Sequence, residues 1–147
     1  MEHFDTILFA TDFSENSDHA FDYAFTLATR FGSRLVIIHV INEPVDLRGF
    51  YVPHISFDTL EKEIEEGAGK MMQKFCRTRI KDFTNFTTLT VTGIPYEEIL
   101  KKADVEKASL IVMGTQGRKG IDHFLFGSTA ERVVRNATCP VMTIRLS

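Results

Sequence analysis

Four glycines near the C-terminus, Gly114, Gly117, Gly120 and Gly127, follow directly on the apolar run Leu110-Ile111-Val112-Met113. Glycine lets backbone N–H groups approach a ligand with no Cβ in the way, and a helix start presents amides that point outward unpaired. The Gly127-Ser128-Thr129 step reads as such a start and adds two hydroxyls. A buried strand that breaks into Gly114-Thr115-Gln116-Gly117 and then opens a helix is arranged to hold an anion. The most economical anion is a phosphate chain.

The spacing separates this loop from two commoner phosphate loops. A Walker-type loop needs glycine-lysine followed by Ser or Thr, whereas Lys119 is followed by Gly120 and Ile121. The dinucleotide fingerprint puts its glycines after a first strand, and here they follow a late one with different spacing, which disfavours a nicotinamide cofactor. Ser128 lacks the Gly-x-Ser-x-Gly turn of a hydrolase nucleophile, and the five histidines have no metal-ligand spacing. Arg118-Lys119 reads equally as a phosphate partner or as solvated charge.

Positioning falls to an alternation of apolar runs and helical stripes, which implies parallel strands joined by crossover helices covering both faces of the sheet. Thr6 to Ala10 reads as a first strand buried on both faces. Asp12 or Ser14 can cap a helix from Glu15 to Phe31, with Gly32 as its left-handed stop. Leu35 to Val40 is a second buried strand, followed by a patternless stretch from Ile41 to Phe57. A helix is expected from about Asp58 to Lys81, loosened near Gly67-Ala68-Gly69. Thr87 to Val91 alternates and suits an edge strand, and Pro95 suits the first position of a helix carrying Ile99, Leu100 and Ala103. A last helix from Ser128 to about Asn136 and a fifth strand, Val141 to Ile144, complete the chain.

In open parallel sheets ligands lie beyond the carboxyl ends of the strands, where connections leave on opposite faces. Thr11-Asp12, Ile41-Asn42 and the Gly114 loop all leave such ends, and they converge if the first and fourth strands are neighbours. Asp12 can accept hydrogen bonds from ribose hydroxyls, help hold a divalent metal, or simply cap the helix. Ile41 can offer main-chain groups and a side chain to a base. His39 reads as a satisfied core histidine rather than a base catalyst.

With 147 residues the chain suits one domain, 1–147, able to bury roughly 70% of its unfolded surface. A net charge of −3 gives no broad basic field for nucleic acid. Cys76 and Cys139 fall in no disulfide or metal pattern, and no signal peptide or membrane-length apolar run is present, so a reducing cytoplasm is the expected location.

Over nearly its whole length the chain resembles the universal stress protein family. The likeness is carried by Ile7-Leu8-Phe9-Ala10-Thr11-Asp12-Phe13-Ser14, by Gly93-Ile94-Pro95, by Ile111 to Arg118 and by Cys139-Pro140-Val141. Its most specific part is Gly114, two residues, Gly117, nine residues, then Gly127-Ser128, the pattern of the family's ATP-binding branch. The resemblance implies an open, Rossmann-like, five-stranded parallel α/β sheet in the order 3-2-1-4-5, and a nucleotide-dependent stress-response regulator. It implies ATP or a related adenine nucleotide in the crevice with a divalent metal, Mg or Mn, and a homodimer through the C-terminal strand, Val141 to Arg145. By position, Thr11 and Asp12 would lie on the ribose and metal side, Ile41 near adenine, and Met113 and Gly114 along the sugar. Gly117, Arg118, Gly127, Ser128 and Thr129 would serve the phosphates. Gln116 departs from the family, many members of which carry His there. Two other readings remain open: a slow Mg-dependent ATPase or nucleotidyl-transferring enzyme using Asp12 and Arg118, and a dimeric scaffold that binds no nucleotide.

Overall fold

Local sequence sets the limits of most elements in the computed structural model, which describes residues 3–42, 57–116 and 127–146. The order is β1 (Thr6–Ala10), α1 (Glu15–Phe31), β2 (Arg34–Asn42), α2 (Phe57–Arg79), β3 (Phe86–Gly93), α3 (Pro95–Val105), β4 (Leu110–Gly114), α4 (Ser128–Asn136) and β5 (Val141–Ile144). All five strands are parallel and lie in the order β3-β2-β1-β4-β5, so β3 is an edge strand, as its threonine alternation predicts. Every residue of β1 is buried, because helices cover both faces of the sheet's centre.

Helix α1 starts at Ser14, whose Oγ accepts the Ser17 amide, and stops at Gly32, which adopts φ 64° and donates its N–H to the Ala28 carbonyl. The chain then turns into β2 through the fully buried Ser33, whose hydroxyl donates to the Phe4 carbonyl. Helix α2 runs unbroken through Gly67 and Gly69, where a Cβ would meet no heavy atom within 4 Å. The expected loosening there is absent because those glycines face open space and the i→i−4 ladder continues past them. Strand β2 reaches two residues beyond the expected Val40, since Ile41 and Asn42 still pair with Thr92 and Gly93 of β3.

The sheet carries a core on each side. On one face Phe9, Phe21 and Phe75 join Ile7, Leu35, Ile37 and Met72 beneath α1 and α2. On the other, Leu8, Val36, Ile38 and Ile111 meet Ile99, Ala103, Ala130 and Val133 from α3 and α4. Helices therefore change faces where β1 meets β4, which is the topological switch point at which a crevice opens beyond the strand ends. Among the described residues no helix is long and apolar enough to cross a membrane.

Arg79 pairs α2 with α1 near this crevice: its Nη2 lies 3.1 Å from Asp18 Oδ2 and its Nη1 4.0 Å from Asp22 Oδ1. Burial lifts the Asp18 carboxyl above the ordinary value of 3.8; Arg79 pulls the other way, and Asp12 and Asp22 add to the rise. Folded Asp18 thus binds a proton more readily than unfolded Asp18, so its contribution to stability falls as pH rises from 3.8 through the raised folded value. Wild type should accordingly lose stability relative to Asp18→Asn across that window and keep a constant difference above it. Urea unfolding of both proteins at about pH 4 and about pH 7 checks the sign.

Candidate functional site

The β1–β4 pairing sets Phe9 opposite Val112, and two further residues of that register bring Thr11 level with Gly114. The ends of β1 and β4 are thus side by side, as convergence of the three loops requires. Thr11 is 5% exposed, and its groups hold the turn together. Its amide donates to the Ile38 carbonyl at 2.9 Å, its Oγ1 accepts the Phe13 amide at 2.9 Å, and its carbonyl lies 2.8 Å from His39 Nδ1. His39 is half-buried at this corner rather than sunk in the core, because β2 outruns β1 and carries it past the helix-covered region.

Ser14, and not Asp12, is the α1 cap. Asp12 Oδ1 instead accepts the Ser14 amide at 2.9 Å and the Ser17 hydroxyl at 3.0 Å, an Asx turn that fixes the carboxylate at the strand end. Ser17 is buried and also lies 3.1 Å from Thr11 Oγ1. Between these residues Phe13 takes the left-handed conformation with φ 62°, and its ring centroid sits 4.4 Å from that of His39 and 6.2 Å from that of Phe75.

At the β4 end the chain is tied on two sides. Thr115 donates to the Ile144 carbonyl at 3.0 Å, and its own carbonyl accepts the Gly127 amide at 2.6 Å. That last bond joins the glycine-loop root directly to the start of α4. Gly127 has ordinary extended geometry, φ −63°, and provides no side-chain cap. The amides of Ser128 and Thr129 consequently open the helix with no intrahelical acceptor and no capping side chain, beside the exposed Ser128 and half-buried Thr129 side chains. The Gly127 amide is the exception: its partner is the Thr115 carbonyl.

The side chains of Met113 and Ile41 are buried, 5% and 8% exposed, and Met113 packs with Ile111 and Val133 on the α3–α4 face. Alternation along β4 turns Met113 into the core and Gly114 toward α1, so Met113 can present only its main chain to the crevice. Gly117 and Arg118 lie outside the described residues, as does all but the ends of the Ile41 to Phe57 stretch. Among the described residues no three His, Cys, Asp or Glu side chains stand together as a metal-holding group. Cys76 and Cys139 are half-buried, and burial pushes both thiols up, away from thiolate reactivity.

Asn16 and Ser17 went unrecognised as site residues in the sequence. Asn16 is 7% exposed on the first turn of α1, and its Nδ2 donates to the Gln116 carbonyl at 2.6 Å. For Ser17 the signal was present as a second hydroxyl three residues after the Ser14 cap; for Asn16 it was not, because its partner is 100 residues away.

Comparison with known proteins agrees with this architecture. The model of the universal stress protein family matches residues 3–145. Universal stress protein MJ0531 of Methanocaldococcus jannaschii is 33% identical over 141 residues, spanning 95% of this chain and 81% of its own. The solved structure of MJ0577 from the same organism superposes with a TM-score of 0.85 at 26% identity, covering 99% of each chain. UspA from Lactobacillus plantarum superposes at 0.77 and 26% identity, over 99% of this chain and 100% of that one. Two more distant structures share the fold, a universal stress protein in complex with cAMP (23% identity, TM-score 0.64) and one from Archaeoglobus fulgidus in complex with dAMP (19%, 0.58), each covering 99% of this chain and 100% of that one. With a family model spanning nearly every residue, a relative sharing a third of its sequence, and the sheet order the family resemblance implied, the chain belongs to the universal stress protein family.

Proposed function

We propose that this protein is an ATP-binding regulator whose crevice at the β1–β4 switch point holds the nucleotide, with the phosphate chain at the start of α4. The observation that carries the reading is the Thr115 carbonyl bonded to the Gly127 amide, which puts the glycine-loop root and the uncapped helix start within reach of one guest. Helix-start amides favour anions through both unpaired N–H groups and the helix dipole. Asp12, fixed by Ser14 and Ser17, is the residue for a ribose hydroxyl or for a divalent ion that neutralises phosphate charge. Gly114 and the main chain of Met113 border the sugar, and Ile41 lines the base side. Gly117 and Arg118 complete the phosphate set in this reading. That the fold accommodates adenine nucleotides elsewhere is consistent with it, while the choice of ligand rests on this chain's own residues.

A nucleotide spanning both turns would join β4 to α4, and the surface around it is what a regulatory protein partner would read. We place the protein in the cytoplasm as a homodimer through Val141 to Arg145, a reading supported by the position of β5 at the sheet edge.

Native mass spectrometry of the purified protein, followed by calorimetric titration with ATP, ADP, AMP and cAMP, tests the proposal. Retained or added adenine nucleotide at one per chain supports it, and a protein that takes up none of the four overturns it. Single-turnover assays with Asp12→Ala as control separate a binder from an enzyme: hydrolysis that vanishes with Asp12 would move the protein to the slow-ATPase class.

A further inference from the structure

Asn16 is buried to 93%, yet its Oδ1 has no hydrogen-bond partner among the described residues. A stranded buried acceptor is unfavourable, so something else must hold the carboxamide in place. Its orientation is not arbitrary, because the Gln116 carbonyl can only accept and the nitrogen must therefore face it. Gly114 explains the fit: a Cβ there would stand 3.0 Å from Asn16 Cγ, closer still to Nδ2, and 3.3 Å from the Asn16 carbonyl oxygen. The glycine at the end of β4 is thus required by a side chain of α1. Its φ lies outside the left-handed region, so the requirement is steric rather than conformational.

We propose that Asn16 is a positioning residue that clips the Gly114–Gln116 corner to α1 and so sets the corner's position against the start of α4 without touching the nucleotide. The inference rests on the nucleotide-binding reading for its functional consequence, but its structural half stands apart from that reading. Through Thr115, whose carbonyl holds the Gly127 amide, the clip reaches the start of α4 as well. Aspartate in the same place would set a carboxylate against the Gln116 carbonyl, and alanine would remove the tie to α1, leaving those of Thr115 to Ile144 and Gly127. Either loss releases the corner from α1, which keeps its own cap at Ser14.

The test compares wild type with Asn16→Ala, Gly114→Ala and the double variant. It measures ATP affinity by calorimetry, exchange of the Thr115 and Gly127 amides by NMR in the nucleotide-free protein, and the urea unfolding midpoint. Each single variant should weaken ATP binding by about tenfold and speed Gly127 exchange by about as much. The double variant should lose no more than either single one, because the methyl group at 114 then occupies space that Asn16 has vacated. Penalties that multiply to about a hundredfold, or a Gly127 amide protected as in wild type, would overturn the clip. If Asn16→Ala does not fold, the Gly127 exchange rate of nucleotide-free Gly114→Ala decides, since that variant dislodges the same carboxamide, while its ATP affinity does not, because Gly114 itself borders the sugar. If wild type binds no nucleotide, the functional reading falls by itself and the exchange measurements still judge Asn16.

Discussion

Leucine in place of Gly127 is expected to abolish measurable ATP retention while leaving a folded protein. The backbone at 127 is ordinary extended geometry that leucine adopts without strain, and α4 begins only at the next residue. What changes is the side chain: leucine adds a bulky apolar group at the N-cap, directly before the Ser128 and Thr129 amides and on the residue bonded to the Thr115 carbonyl. Two hydrogen bonds to a charged phosphate contribute about 1.5–3 kcal/mol each, so blocking both should weaken binding by at least about a hundredfold. Calorimetric titration with thermal unfolding as control measures the effect. Wild-type affinity in this variant would mean that the phosphates lie somewhere other than the α4 start.

Phe9→Ala should be the most damaging substitution for stability, at about 3–5 kcal/mol. Phe9 is fully buried next to the C-terminal end of β1, meets Phe21 edge-on at 5.3 Å and stacks on Phe75 at 6.2 Å. Removing the ring therefore unfastens both α1 and α2 from the sheet and leaves a cavity that neighbouring strands, tied by their hydrogen bonds, cannot close. Set against a typical stability of about 5–15 kcal/mol, this loss brings the protein near its unfolding threshold at physiological temperature. Urea unfolding at constant pH measures it. A loss below about 1 kcal/mol would show that the aromatic cluster is not what holds this face together.

Much of this architecture is written locally. Thr6 to Ala10, Glu15 to Phe31, Ser128 to Asn136 and Val141 to Ile144 coincide with the observed limits, because caps, glycine stops and apolar runs lie within a few residues of the ends they determine. Strand β2 ran past its expected end because its last pairs are made by β3, which local pattern cannot supply. The strand order was legible only through the family motifs, since periodicity identifies strands without saying which are neighbours. In the crevice, the glycine spacing and Asp12 stood out by residue type. Which amide of the α4 start is already committed, and that Met113 turns its side chain away, depend on contacts between segments far apart in sequence.

Phe13 makes the bend beside the crevice a balance between backbone strain and packing. An L-residue in the left-handed region costs about 1–2 kcal/mol, which glycine would not incur. The ring offsets that cost by walling the corner against His39 and Phe75. A glycine at position 13 would relax the bend and remove the ring from His39 and Phe75, exchanging a stiff, sealed corner for a supple, wetter one beside the same carboxylate.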